Sequence, residues 1–452
     1  MSRAWRAWCA YWFRPAPLLD LAAVRVVAVG LQLWLLLRLD HHALFAELDG
    51  LPDALYEPLA ALRLLTLPFG WRVRPSGDAL HVVYWLTVAA GALALVGWRT
   101  NAALAAFTLG NVAIQAYRYS FGEIHHPEAL MVLALGLLAL APAGARLSVD
   151  DLRRRLALAR RERRVVEADP LAGESPFARW PLLTVRWLFA LIYLSAAWSK
   201  LAASGLAWVN GYTLRVYALR DGLRWGSDLG VWLGEQHVVA VLASVGALLF
   251  EATFWLVLVV PALAVLYVPL GAAFHAGIYL VQRAPFFQFI ALYSVFVPWA
   301  ALAARLRGRR AARAEVLYDD RCPFCIRTAT LVRALDWGDR LALGGLEARW
   351  PALAASRRDL DLDQCRREMH LLLPDGSVRR GFDAFTEIAR RVPLLWPLWG
   401  GFSVPGVPAI GRRVYRWVAA RRTRVTACTF EACGVDGPDG ASRPADDRAG
   451  IA

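Results

Sequence analysis

For its first three hundred residues the chain runs in long apolar stretches separated by short arginine-bearing breaks; beyond them it changes to short amphipathic elements. Eight stretches near bilayer-spanning length predict membrane helices over roughly 18–38, 79–97, 102–118, 127–143, 181–203, 237–259, 262–281 and 285–304. The pair around Pro261 can also be read as one re-entrant unit. Arginine marks three places: the N-terminus, "RLSVDDLRRRLALARRERR" after the fourth helix and "RLRGRRAAR" after the eighth. Eight spans with basic ends put all three on the cytoplasmic side, with both termini inside. Segments 39–78 and 204–236, with their aromatic and apolar stretches, then fall on the outer side, along the membrane surface or over the bundle.

After residue 310 the period changes. "AEVLYDDRCPFC" predicts a strand running into a helix start, and "CIRTATLVRALDW" continues with helical periodicity. "REMHLLLPDGSVRRG" predicts a hairpin with an Asp-Gly turn, and "FDAFTEIARRV" and "RRVYRWVAARR" predict further helices. The fold class is therefore a polytopic α-helical bundle, 1–310, followed by a small α/β domain, 311–433. Residues 434–452, rich in Gly, Asp, Pro and Ala, predict a disordered tail.

Composition agrees with a membrane protein: 58% of residues are hydrophobic and 20 are tryptophan. The net charge of +14 would suit nucleic acid, but the arginines flank apolar runs, and the positive-inside rule accounts for them without a nucleic-acid partner. The partner this implies is the lipid bilayer. The basic start "MSRAWRAWCAYWFRP" lacks a small-x-small cleavage site, so the first helix is expected to stay, in a bacterial inner membrane. Six cysteines form no disulfide framework.

One basic residue stands out. Lys200, in "LIYLSAAWSKLAASGLAWVNGY", is the sole lysine; the other 50 of the 51 basic side chains are arginine. Arginine keeps its charge at any accessible pH, whereas a desolvated lysine can lose its proton. Lys200 is therefore a candidate catalytic amine, the alternative being a charge snorkelling to the outer interface. The predicted topology gathers seven of the eight histidines, His125, His126 and His275 among them, towards the same side. Glu251 and Arg25 are intramembrane charges that face a partner or a cavity, or, for Arg25, snorkel inward.

The order of these features resembles the HTTM family, the membrane domain shared by vitamin K-dependent gamma-carboxylases and many bacterial proteins. The likeness covers roughly 18–303. It rests on Arg25 in "AVRVVAVGL", "GWRTN" around Arg99, His126 in "EIHHPEAL", Lys200 with Trp208 and Gly211-Tyr212 in "SAAWSKLAASGLAWVNGY", and His275 in "AAFHAGIY". The resemblance implies that Lys200 is the base that deprotonates a reduced vitamin K-like hydroquinone and that His126 stabilises the carbanion. His125, His275, Trp208, Tyr212 and Arg25 would then line the substrate site. Two departures are visible: the carboxylases carry two consecutive lysines where this chain has Ser199-Lys200, and their large luminal portion has no counterpart after residue 304.

The soluble domain carries a second chemistry. "YDDRCPFC" puts Cys322 and Cys325 one helical turn apart just after a strand. A thiol at a helix start meets unpaired amides and the positive dipole end, which favour the thiolate, and the second cysteine can resolve a mixed disulfide. Pro323 suits the first turn, where its missing donor costs nothing. Zinc is the competing reading, with Cys365, His370, Cys428 or Cys433 as further ligands. The segment resembles the DCC family of thiol-disulfide oxidoreductase-like proteins, named for Asp-x-x-Cys-x-x-Cys, here Asp319, Cys322 and Cys325. "RRGFDAF" and "RRVYRWVAARR" extend the likeness over most of 314–433. It implies a thioredoxin-like fold and a thiol redox partner. Asp319 would accept the resolving thiol's proton or cap the helix. Asp320 replaces the family's usual glycine and is expected to raise the nucleophile's pKa.

Three functions follow: a membrane thiol-disulfide oxidoreductase with a quinone-like lipophilic site, a carboxylase-like enzyme using Lys200, and a non-catalytic anchor or transporter. On the predicted topology Lys200 lies outside and the cysteine pair inside. Coupling them would require a mobile carrier such as a quinone.

Overall fold

The computed structural model describes residues 2–70, 73–122, 126–308 and 312–422, with the backbone alone for His126 and Pro127. It divides into two units: Met1–Arg154 with Ala168–Arg310, and Arg155–Glu167 with Ala311–Ala452. The predicted tail, 434–452, lies outside the described residues.

The first unit is all helix apart from one bridge of two-residue strands, Ala16–Pro17 with Glu174–Ser175. Its main helices are α1 (Leu18–Arg38), α2 (Gly77–Val96), α3 (Thr100–Arg118), α4 (His126–Ala139), α5 (Pro176–Ser204), α6 (His237–Thr253) and α7 (Ala264–Gln282). Each of the eight expected segments is helical, but eight independent spans are not observed. Among the described residues five helices are long and apolar enough to cross a bilayer; a sixth is added if Phe287–Phe296 and Trp299–Arg307, bent by 68°, count as one span. The physical reasons lie in α3 and α4. Asn101, Thr108, Asn111 and Gln115 make α3 too polar, and α4 stops at Ala139 after 14 residues.

Helix α5 shows how the sequence fixes a long element. Ser175 caps it by accepting from the Phe177 N–H at 3.1 Å, Pro176 fills the first turn, and Gly205 ends it at positive φ. At 1.5 Å per residue its 29 residues run roughly 43 Å. Lys200 sits in the last turn.

The α2–α3 corner is built on Gly97, at φ +73°. A Cβ there would come within 2.4 Å of Ser148 Cβ and 2.7 Å of Arg25 Nη1. The Asp150 carboxylate accepts from Arg99 N, Thr100 N and Thr100 Oγ1 at 3.0, 2.8 and 2.7 Å, capping α3. Gly97→Ala is expected to cost more than about 1 kcal/mol, because left-handed backbone and a close approach coincide. Thermal unfolding of the detergent-solubilised protein measures this, and an unchanged midpoint would refute the packing argument.

The second unit holds a four-stranded mixed sheet, β1 (Ala314–Tyr318), β2 (Leu341–Gly345), β3 (His370–Leu372) and β4 (Val378–Arg380), in the order β2-β1-β3-β4. β1 runs parallel to β2 and antiparallel to β3; β3 and β4 form the expected hairpin, with Gly376 at φ +84° in its turn. Helix α8 (Pro323–Leu335) makes the crossover from β1 to β2. Ala314, Val316 and Leu371 pack on one face against Val332 of α8 and Ile388 of α9 (Gly381–Arg391). Leu317 and Leu372 pack on the other with Leu346, Leu353 and Cys365. A βαβ unit followed by an antiparallel hairpin, covered on both faces, fits a thioredoxin-like fold. Ala159 and Val165 pack on Ile326 and Ala329 of α8, which is why Arg155–Glu167 belongs to this unit.

Candidate functional site

Strand β1 ends at Tyr318, and the turn Asp319–Arg321 delivers Cys322 to the start of α8. Cys322 is itself the N-cap: its Sγ accepts from the Cys325 N–H at 3.4 Å. The helix therefore begins on the sulfur. Of the two roles considered for Asp319, capping α8 falls away, since its Oδ1 accepts instead from Arg321 N at 3.1 Å inside the turn. Both thiols are free and buried, Cys322 fully and Cys325 with 8% exposure.

The two sulfurs are electrostatically unequal. The hydrogen bond from the Cys325 thiol, chiefly, holds the Cys322 pKa down to about 6. Burial opposes this, while the Cys325 amide and the positive charge of Arg422 add to it. Cys325 is pushed up from the ordinary thiol value, first by sharing its proton with Cys322 and then by burial. Arg422 Nη1 donates to Cys325 Sγ at 3.1 Å, and Nη2 is held by the carbonyl oxygens of Arg366 and Arg367. The result is one ready thiolate beside one protonated thiol, the polarity a nucleophile and its resolving partner require.

Asp320 corrects the sequence reading. Its carboxylate turns away to accept from Glu347 N and Ala348 N at 3.3 and 3.4 Å, at the start of the helix Leu346–Ser356. Asp319 is the carboxylate that opposes the thiolate. Behind Cys325 lies a cavity of about 40 Å³ whose walls include Phe324, Val332, Cys365, Met369, Phe385 and Arg422. The Cys365 thiol is raised to about 11 by burial. Of the alternative zinc ligands, Cys365 shares this cavity with Cys325, His370 is tied through Nδ1 to the Glu368 carbonyl at 3.0 Å, and Cys428 and Cys433 lie outside the described residues. Among the described residues no group of three His, Cys, Asp or Glu is placed to hold a metal ion.

The comparisons with known proteins bear on this unit. Residues 316–428 match the family model of the DCC1-like thiol-disulfide oxidoreductases. The C-terminal part of the chain is thus similar to that family over the strand, the cysteine pair, the hairpin and Arg422; the match does not extend to the helical unit. No curated protein and no solved structure matches the chain.

In the helical unit, Lys200 Nζ donates to both oxygens of Glu251 on α6, at 2.7 and 2.6 Å, and lies 5.1 Å from the centroid of the Trp208 ring. Sequence reading singled out all three separately; the structure brings them together as a bidentate ion pair over an aromatic face. Tyr212 is exposed, its ring 4.9 Å from that of His237. His275 is buried on α7, with Nε2 2.7 Å from the Tyr193 hydroxyl, which in turn lies 2.5 Å from that of Tyr293. Tyr193 shares α5 with Lys200, seven positions earlier, so both face one side of that helix. Neither tyrosine carried a sequence signal, because an aromatic in an apolar run reads as packing. Arg25 is buried and donates to the carbonyls of Ala143 and Leu147, at 3.2 and 2.5 Å. From the bridge that starts both helices, Arg25 is about 12 Å along α1 and Lys200 about 36 Å along α5, which sets the two apart. The side chains of His125 and His126 lie outside the described residues.

Proposed function

We propose that this chain is a membrane-bound thiol-disulfide oxidoreductase whose redox centre is Cys322 and Cys325. The observation that carries the reading is the N-capping Cys322 sulfur, held as a thiolate by Cys325 and Arg422. Cys322 attacks a substrate disulfide, forming a mixed disulfide and releasing one thiolate. Cys325 then gives up its proton, with the buried Asp319 carboxylate as acceptor, and displaces the second thiolate. The protein is left as the Cys322–Cys325 disulfide, and the substrate is reduced by two electrons.

A quinone-like substrate in the membrane unit is the electron partner this reading favours. The Cys322–Cys325 disulfide must then be reduced for the next cycle: a hydroquinone gives up two electrons and two protons, the disulfide takes both electrons and one proton to return to a thiolate and a thiol, and the second proton passes to solvent. The HTTM-like motifs and the polar series Lys200–Glu251 and His275–Tyr193–Tyr293 support a hydroquinone-type site there. The positive-inside pattern supports a cytoplasmic cysteine pair. The carboxylase-like alternative gains less support, because Lys200 is engaged by both oxygens of a carboxylate.

The test is reduction of a small aryl disulfide by the purified full-length protein, regenerated with dithiothreitol, in wild type and Cys325→Ala. Turnover in wild type, with a trapped mixed disulfide at Cys322 in the variant, is expected. Absence of both would remove the assignment.

A further inference from the structure

The helical unit contains a cleft that none of the chemistry above uses. Its volume is about 690 Å³, within the range of small-molecule sites. Four helices present their C-terminal ends to it: Arg38 ends α1, Arg118 ends α3, Arg224 lies in the last turn of the helix Tyr212–Trp225, and Arg283 follows α7. With Arg220, the described residues of the lining hold five arginines against two carboxylates, Glu128 and Asp221, a surplus of three positive charges among them in a mainly apolar bundle.

The arginines divide into two sets. Arg118 pairs with Glu128 at 3.4 Å and Arg220 with Asp221 at 2.7 Å. Arg38, Arg224 and Arg283 have no carboxylate and no hydrogen-bond acceptor among the described residues. Each guanidinium is within 5.9 Å of an aromatic centroid instead, over Trp34, Trp225 and Tyr279 respectively. Helix C-termini carry partial negative charge, which attracts a cation to each end and accounts for part of the pattern. That effect decays within the last turn and supplies no protein acceptor to the five donors of each guanidinium, all three of which are exposed at the cleft.

A second observation is independent of charge. Gln32, 4% exposed, lines the same cleft. Its Nε2 donates to Asn111 Oδ1 at 2.7 Å, and Asn111 Nδ2 to the Phe107 carbonyl at 2.8 Å, but Gln32 Oε1 has no partner among the described residues. A buried amide oxygen left unpaired costs about 1–3 kcal/mol, so such atoms mark places where another group completes the bond. The missing group is a donor.

We infer that this cleft binds a phosphate-type oxyanion that also carries a hydroxyl, the anion taken by Arg38, Arg224 and Arg283 and the hydroxyl donated to Gln32 Oε1. Planar guanidinium groups match phosphate oxygens in bidentate fashion. Two sources share this chemistry: the headgroup of an acidic phospholipid such as phosphatidylglycerol, and free inorganic phosphate as its monobasic ion.

The experiment uses the full-length protein, delipidated in a neutral detergent. Thermal unfolding is followed during titration with phosphatidylglycerol, phosphatidylcholine or inorganic phosphate, and retained lipid is counted by native mass spectrometry. The expected result is a rise in midpoint with phosphatidylglycerol and not with phosphatidylcholine, with one acidic lipid retained per chain. Arg224→Gln with Arg283→Gln should weaken this binding at least about tenfold, since each lost charged hydrogen bond is worth that much. Arg224→Lys with Arg283→Lys keeps both charges but loses the bidentate fork, so its binding should fall between wild type and the glutamine pair, and Gln32→Leu should weaken it too. A midpoint rise with inorganic phosphate, which also displaces the lipid, assigns the site to the free ion and supports the same oxyanion chemistry. Equal effects of acidic and zwitterionic lipid on wild type, with no response to phosphate, overturn the inference without any variant. So does binding that survives the glutamine substitutions.

Discussion

Cys322→Ser is expected to abolish disulfide exchange, while Cys325→Ala should leave Cys322 reactive but shift its reaction with iodoacetamide to higher pH. In wild type the Cys322 thiol titrates at about 6, mainly because the Cys325 thiol donates to it. Removing that donor returns Cys322 towards an ordinary thiol value of about 8.5. At pH 6.5 the thiolate fraction then falls roughly seventyfold, but a more basic thiolate is the better nucleophile, which recovers roughly tenfold, for a net loss of about sevenfold. Above about pH 9, where both forms are ionised, the variant should react faster than wild type. Arg422→Met removes a smaller contribution and should move the midpoint by less than Cys325→Ala does. The measurement is the pH dependence of Cys322 alkylation in the reduced full-length protein, read by peptide mass. Restricted access of the reagent to Cys322 slows every rate by the same factor and leaves the midpoint where the pKa sets it. A wild-type midpoint near 8.5 would sink the thiolate assignment.

The sequence made the core of this site legible because its information is local. A strand ending in Tyr318, a Pro323 at the first helical turn and two cysteines three apart specify the β1–α8 junction within a dozen residues. The hairpin is equally local, carried by Asp375-Gly376. Arg422 is different: nearly a hundred residues separate it from Cys325, and in "VAARR" it looks like any solvated cation. Strand β2 went unseen because "LALGG" has neither alternation nor β-branched side chains. A Cβ at Gly344 or Gly345 would meet the end of the Glu315 or Asp320 side chain at 2.7 Å, so a larger residue there would have to turn that carboxylate aside. Arg155–Glu167 was read as a basic flank because only three-dimensional packing on Ile326 and Ala329 shows what its apolar Ala159 and Val165 do. In the helical unit apolar runs located the helices and gave eight candidate spans where five or six described helices are long and apolar enough, since helical periodicity alone does not tell a polar helix such as α3 from a lipid-facing one. Single charges there were recognised as unusual. Their pairing was not, because nothing in a linear pattern connects Lys200 to Glu251.

That pairing sets the second large effect. Lys200→Met should destabilise the protein by about 3–5 kcal/mol, as for other broken buried ion pairs, because it leaves the Glu251 carboxylate without its cation. Glu251 has only 6% of its side chain exposed, so little water is at hand to replace the ammonium. For a unit this large, each kcal/mol moves the midpoint by a little under about 2 °C, so a fall of roughly 5–8 °C is expected. Replacing both partners, Lys200→Met with Glu251→Leu, should recover most of the loss, since removing a buried pair outright costs far less than orphaning half of it. Lys200→Arg separates structure from chemistry. A guanidinium can bind both oxygens of Glu251 and lie over Trp208, so stability should be kept. If quinone-dependent turnover were nevertheless lost, the amine itself would be chemically required, and the carboxylase-like role of Lys200 would regain its footing. If turnover survived with stability intact, the single lysine would be a structural cation, and the membrane chemistry would have to be sought along His275, Tyr193 and Tyr293.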